Sequence, residues 1–136
     1  MTTRHRGREV ALQMLFQYDD SQIPADQIVE LYRNSFSEGS LPDEFSIRLF
    51  FAVTGKMEEL DQVIEQSSEH WRLDRMSRVD RNVLRIGVNE ILADNDVPAP
   101  VAINEAVELA KHFGADESPS FVNGILDRVA RDRQKI

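Results

Sequence analysis

The 136-residue sequence contains no cysteine. Without cysteine, neither a disulfide framework nor a thiolate metal site can form. No window approaches eighteen consecutive apolar residues, so the sequence predicts no membrane-spanning helix. The first residues also lack the apolar run and small-residue cleavage site of a signal peptide. We therefore expect a cytoplasmic protein.

Signals for β-structure are also scarce. No segment alternates apolar and polar residues over a sustained length, and no Asn-Gly or Asp-Gly turn separates two apolar runs. Apolar residues instead recur at three- and four-residue steps, which is typical of amphipathic helices. The length suits one domain with a hydrophobic core of its own. The sequence thus predicts an all-α single domain over residues 1–136, with about seven helices.

Several helices can be located from apolar spacing and turn residues. The spacing predicts helices over residues 4–18, 25–36, 43–68 and 78–93, with loops at 37–42 and around Trp71. Gly55 is expected to bend or break the third of these helices. Gly87 is expected to allow close approach of a neighbouring helix. Ser77 and Asp80 have the spacing of a capping box.

The stretch from Val97 to Leu126 predicts two further helices joined by a tight turn. Pro98 and Pro100 open the first helix. Gly114 is expected to end it in a left-handed conformation, and Ser118 to cap the second helix with its hydroxyl. Asparagine is a mediocre helix former. We therefore expect Asn104 and Asn123 to make hydrogen bonds to neighbouring helices.

Charge is distributed unevenly along the chain, whose net charge is −8. Residues 1–18 carry three arginines against one glutamate, residues 19–70 carry a net −9, and residues 71–136 carry a net −1. The distribution of charge decides binding more than its total. A local basic surface is therefore compatible with an acidic protein, although charge alone favours a solvated basic N-terminus, which is common in proteins that bind no nucleic acid.

Residues that could support catalysis do not form a recognisable constellation. His5, His70 and His112 lie far apart, and none has a second ligand at metal-binding spacing. The sequence has no glycine-rich phosphate loop, no G-x-S-x-G elbow and no H-E-x-x-H motif. We therefore expect no enzyme, no metal and no cofactor. An unrelated helical enzyme remains a minor alternative.

Three segments together resemble the NusB family of bacterial transcription antitermination factors. They are RHRGREVALQMLFQ, VDRNVLRIGVNEIL, and the stretch VPAPVAINEAVELAKHFGADESPSFVNGIL. The resemblance is strongest over residues 79–129. It implies an all-helical fold of two packed sub-bundles. It also implies binding of boxA RNA in ribosomal RNA transcripts, and a heterodimer with NusE, a small-subunit ribosomal protein. The pair helps RNA polymerase resist termination.

The resemblance also implies roles for particular residues. The expected RNA-binding residues are Arg4, Arg6, Arg8, Arg85, Glu117, Ser118 and Phe121. Single-stranded RNA is read by stacking bases on aromatic rings and by arginine contacts, which suits this set. A helical phenylalanine taken alone is more often a core residue. The resemblance favours an exposed Phe121 instead.

The expected NusE interface contains Phe16 and Asp80. Family members can carry tyrosine at the position of Phe16. Because phenylalanine lacks the tyrosine hydroxyl, any contact there must be apolar in this chain. The basic N-terminal segment carries only three arginines and one histidine. Because affinity for RNA grows with the number of phosphates that a protein neutralises, we expect weak RNA binding that NusE strengthens. The alternative is a helical protein-interaction module or homodimer whose RNA site is masked or lost and which acts in ribosome biogenesis.

Overall fold

The computed structural model describes residues 3–35, 42–69, 72–93 and 97–136. Within these residues the chain forms seven α-helices, a short 3₁₀ turn at Leu73–Arg75 and no strand, which confirms the all-α prediction. The helices are α1 (Thr3–Tyr18), α2 (Ala25–Ser35), α3 (Glu44–Gly55), α4 (Met57–Ser67), α5 (Arg78–Leu92), α6 (Ala99–Phe113) and α7 (Ser118–Asp132). The predicted end of the second helix at Phe36, most of the 37–42 loop, and Trp71 lie outside the described residues.

Contacts divide the chain into two compact units, Met1–Gly55 and Lys56–Ile136. The first contains α1 to α3, and the second contains α4 to α7. The boundary falls at the predicted helix break, because α3 ends at Gly55 and α4 begins at Met57. No helix in the described part of the chain is long and apolar enough to cross a membrane.

The core of the first unit is formed by apolar residues from all three helices. They are Val10, Ala11, Leu12, Met14, Leu15, Ile28, Val29, Leu49, Phe50 and Val53. The ring of Tyr18 packs edge-on against Phe50, with 5.9 Å between centroids. The hydroxyl of Tyr32 donates a hydrogen bond to the carbonyl of Gln13 at 3.1 Å, which joins α2 to α1. Burial raises the pKa of this tyrosine.

Helix α1 is more deeply buried than its sequence pattern predicts. Six consecutive residues, 7–12, are buried, so the helix is not buried along one stripe only. A Cβ atom at Gly7 would lie 2.7 Å from a ring carbon of Phe45. Glycine therefore lets α3 approach the first turns of α1, next to the arginines.

Helix α5 is the centre of the second unit. Ten consecutive residues, 82–91, are buried as α5 packs against α4, α6 and α7. A Cβ atom at Gly87 would lie 2.5 Å from Cδ1 of Leu126 on α7 and 3.4 Å from Cβ of Ala106 on α6. The predicted close approach is therefore confirmed.

The first turn of α5 is capped as its sequence predicts. The hydroxyl oxygen of Ser77 accepts a hydrogen bond from the backbone N–H of Asp80 at 3.0 Å. The serine thereby satisfies one of the N–H groups that a helix start leaves without a partner. Pro98 and Pro100 likewise stand at the start of α6.

Two expectations for the α6–α7 turn are wrong. Gly114 has φ −102° and ψ −170°, so it is extended rather than left-handed. Glycine is needed there for space, since a Cβ would lie 2.6 Å from the Ser118 hydroxyl and 2.9 Å from the Ala110 carbonyl oxygen. Ser118 does not cap α7. The helix begins at this residue, with Glu117 at the N-cap position.

The two helical asparagines do not tie helices together. Asn104 and Asn123 are both exposed, and neither side chain makes a hydrogen bond to another residue that the structure describes. Gly124 beside Asn123 is also exposed, with no atom within 4 Å of a Cβ placed on it. The expected structural role of Asn123 is therefore wrong.

Alanine substitutions at the two helical glycines of the second unit should have opposite effects on stability. Gly87→Ala should lower the free energy of unfolding by about 1–3 kcal/mol, because its methyl group overlaps the buried Leu126. Gly124→Ala should raise it by about 0.5–1 kcal/mol, because alanine favours a helix and nothing crowds it. Urea unfolding measures the free energy of unfolding of both variants. An equal change in the two variants would contradict the close approach at Gly87.

Candidate nucleic-acid and protein interface

The N-terminal arginines lie within the first turns of α1, and two of them, Arg4 and Arg8, contact α3. The guanidinium carbons of Arg4 and Arg8 lie 5.2 and 5.4 Å from the centroid of the Phe45 ring. These distances are within the range of cation–π contacts. Such contacts offset the unfavourable placement of cations at a helix N-terminus. Phe45 was not anticipated from the sequence, because its role depends on the packing of α3 on α1.

The three arginines differ in how much charge they present to solvent. Arg4 is exposed, and the Arg6 side chain is 43% exposed while its guanidinium pairs with Glu9. Arg8 is only 5% exposed. The structure therefore places Arg4 and Arg6 where a phosphate could reach them. It places Arg8 mainly in the packing between α1 and α3.

Arg85 is buried rather than presented to RNA. It is 5% exposed, and it donates from Nε and Nη2 to the two carboxylate oxygens of Asp61 at 2.7 and 3.0 Å. Its Nη1 donates to Oδ1 of Asn82 at 2.9 Å, and Asn82 donates to the carbonyl of Arg78 at 2.8 Å. This two-pronged ion pair joins α5 to α4. We therefore remove Arg85 from the expected RNA contacts.

Phe121 forms one wall of a cleft in the second unit. The cleft has a volume of about 240 Å³ and is lined by Arg75, Met76, Ser77, Asp80, Ala115, Glu117 and Phe121. Phe121 is half-buried and Glu117 is exposed. The ring is therefore neither a core residue nor fully open. It can pack against a group that enters the cleft.

Ser118 is buried behind the cleft, where it supports the α6–α7 turn. It is 1% exposed, and its hydroxyl oxygen accepts a hydrogen bond from the backbone N–H of Ala115 at 3.0 Å. The bond closes the turn that carries Glu117. Ser118 therefore shapes the cleft but is too buried to contact RNA directly.

Asp80 lines the same cleft as Phe121 and Glu117. Its Oδ1 atom is buried and has no hydrogen-bond partner among the described residues. The resemblance assigned Asp80 to a protein partner and the other two residues to RNA. In the structure all three share one cavity, so that division does not follow from their positions.

Phe16 lies near the end of α1 in the first unit and exposes 40% of its surface. Leu31 and Phe51 in the same unit are also exposed large apolar residues, at 47% and 40%. Isolated exposed apolar residues are normal on a protein surface. The exposure of Phe16 leaves its expected contact with a partner a prediction.

Two further lining residues of the cleft were not singled out from the sequence. They are Arg75, which belongs to a 3₁₀ turn, and Met76, which precedes the serine that caps α5. The spacing of arginines along a chain does not indicate which one faces a cavity. That depends on the 3₁₀ turn at Leu73–Arg75, which the sequence reading did not predict.

Known proteins match the chain over almost its whole length. The sequence profile of the NusB family matches residues 5–131. The chain belongs to the NusB family. It is 46% identical over 134 residues to the transcription antitermination protein NusB of Myxococcus xanthus, covering 96% of both proteins.

Solved NusB structures share the fold of this NusB-family protein. That of T. maritima NusB aligns with a TM-score of 0.84 and 35% identity, covering 98% of this chain and 96% of that one. A structure of antitermination factors NusB and NusE in complex with dsRNA aligns with a TM-score of 0.77 and 24% identity. It covers 96% of this chain and 99% of that one.

The burial of Arg85 predicts a large cost when its partner is removed. Asp61→Asn should lower the free energy of unfolding by about 3–5 kcal/mol, because it leaves a buried guanidinium without its counter-charge. Glu108→Gln removes the same charge from an exposed pair with Lys111 and should leave stability nearly unchanged. Chemical denaturation measures both, and equal small effects would contradict a structural role for Arg85.

Proposed function

We propose that this NusB-family protein is a transcription antitermination factor. It binds boxA-type single-stranded RNA of ribosomal RNA transcripts together with NusE, and the pair helps RNA polymerase resist termination in the cytoplasm. It acts by binding, without catalysis. The observation that carries this proposal is the similarity to NusB antitermination proteins over nearly the full chain.

We propose RNA contacts in each unit taken by itself. In the first, Arg4 and Arg6 supply positive charge at the start of α1. In the second, Phe121 supplies an aromatic ring for stacking, with Glu117 at the same cleft. Arginine charge and base stacking are the interactions by which proteins hold single-stranded RNA.

The proposed NusE contact of the first unit contains Phe16. Truncation of an apolar anchor at a protein interface typically costs more than truncation of the residues around it. A dimer or other protein-interaction module with a masked RNA site is the second candidate. Phe16, Leu31 and Phe51 are the exposed large apolar side chains through which the first unit could contact a protein.

The stacking role of Phe121 predicts a loss of RNA affinity when its ring is removed. Phe121→Ala should weaken binding of a labelled boxA-type RNA by about 1–3 kcal/mol, the usual contribution of one stacked base. Phe51→Ala removes a more exposed ring from the first unit, and this variant should bind RNA like the wild type. Fluorescence anisotropy across a salt series, with and without NusE, makes the measurement.

The dependence of RNA affinity on salt concentration and on added NusE distinguishes the two candidate functions. Affinity that falls with salt and rises with NusE supports RNA binding by the heterodimer. NusE binding without any sequence-preferring RNA binding would favour the interaction module. Equal RNA affinity with and without NusE would contradict the expectation that this chain binds RNA weakly on its own.

The proposed protein contact predicts that Phe16→Ala weakens NusE binding by at least about 1 kcal/mol, because an apolar anchor is lost. Leu31→Ala is the matched control, since Leu31 is an exposed apolar residue on a different helix of the same unit. Isothermal titration calorimetry with purified NusE measures both affinities. A larger loss for the control would place the interface on α2 instead.

A further inference from the structure

Asn123 and Gly124 form the only Asn-Gly pair of the sequence, and both residues are exposed on α7. The Asn123 side chain makes no hydrogen bond to another described residue. A Cβ atom placed on Gly124 has no atom within 4 Å. Both residue types disfavour a helix. The described chain thus uses neither residue for packing, and the asparagine amide is accessible.

An asparagine that precedes glycine can react with its own backbone. The backbone nitrogen of Gly124 attacks Cγ of Asn123, and a C–N bond forms. The side-chain nitrogen leaves as ammonia, which carries away the proton of the Gly124 amide. Water then opens the resulting five-membered succinimide at either carbonyl, which leaves aspartate or isoaspartate. Glycine favours this reaction because it has no side chain to hinder its nitrogen, and asparagine is accordingly a thermolabile residue.

The closed helix prevents this reaction. Within α7 the N–H of Gly124 is in the helical ladder, where it donates to the carbonyl four residues earlier, that of Ser120. The succinimide ring also requires a ψ angle at Asn123 that lies outside the helical range. The start of α7 must therefore open through Asn123 before the pair can react.

The start of α7 is the weaker end of this helix. Its first segment, SPSFVNG, contains no strong helix former, whereas the segment ILDRVARD that completes the helix contains leucine, alanine and two arginines. Glu117 occupies the N-cap position and makes no side-chain hydrogen bond that caps the helix. The ends of helices open at lower free energy than their centres. The buried Val122 opposes opening here, so the open state is a minor one.

We propose that Asn123 is a deamidation site whose rate is set by local opening at the start of α7. Aspartate adds a negative charge to the exposed face of the helix. Isoaspartate also adds a methylene group to the backbone, which the helical hydrogen-bond pattern does not accommodate. The modification therefore limits how long α7 remains intact. It does not depend on the function proposed above.

The test incubates the folded full-length protein at mildly alkaline pH and follows the site by peptide mass spectrometry. The incubation uses water enriched in heavy oxygen, because the succinimide takes up one oxygen when it opens. Deamidation during later handling in ordinary water does not carry this label. Asn104 is the internal control, since it is exposed on α6 and precedes Glu105 rather than glycine. We expect labelled aspartate and isoaspartate at Asn123 and an unchanged Asn104.

Matched variants that keep the reacting pair test the role of helix opening. Ser120→Ala and Ser120→Gly change helix propensity at an exposed position of α7, and Gln62→Ala and Gln62→Gly do so at an exposed position of α4. Asn123 should react about 5-fold faster with glycine than with alanine at position 120, which follows from the difference in helix propensity. The two variants at position 62 should react at equal rates.

A second measurement removes the helix altogether. In urea that unfolds the protein, all four variants and the wild type should deamidate at one common rate, which exceeds the rate of the folded wild type. Circular dichroism of each variant before incubation establishes that it is folded. A difference between the Ser120 variants that disappears in urea therefore reports helix opening and not a change in the chemistry of the pair.

Four results would overturn the inference. Folded protein without label at Asn123, when unfolded protein reacts, would exclude the site in the native state. A labelling rate at Asn104 equal to that at Asn123 would contradict a site specific to the Asn-Gly pair. Equal rates for the two Ser120 variants would contradict control by opening of α7. Equal responses at positions 120 and 62 would assign the reaction to unfolding of the whole unit. None of these results bears on RNA binding.

Discussion

The second unit depends on the close approach of three helices at Gly87. A side chain at this position would overlap Leu126 on α7 and press against Ala106 on α6. Because α5 is buried over ten consecutive residues, its position determines where α4, α6 and α7 can pack. The α6–α7 turn and the start of α5 contribute most residues of the candidate cleft, so its shape follows from this packing.

Burial also changes what the charged residues of this chain can do. Arg85 and Asp61 neutralise each other inside the second unit, and Arg8 packs beside Phe45 in the first. A buried guanidinium with several hydrogen bonds is expensive to expose. The basic charge that remains for an anionic partner is therefore smaller than the number of arginines suggests, which agrees with the acidic composition.

The cleft beside Phe121 joins features that are separate in the sequence. An aromatic ring, an arginine and a carboxylate oxygen without a described partner line one cavity, although Arg75 and Phe121 are 46 positions apart. The lining holds two carboxylates, those of Asp80 and Glu117, and one arginine, so its net charge is negative.

The sequence by itself determined the helical class, the break at Gly55, the Ser77 cap and the close approach at Gly87. The first three depend on local backbone preference or on apolar periodicity, which nearby residues dictate. The approach at Gly87 could be predicted because a glycine inside an apolar helix has no side chain to hold a neighbouring helix away, but its partners, Leu126 and Ala106, could not. Tertiary structure alone decided that Arg85 and Ser118 are buried, that Asn123 is exposed, and that Asp80 shares a cavity with Phe121. Burial and the sharing of a cavity depend on contacts between residues distant in sequence, and local patterns carry no record of those contacts.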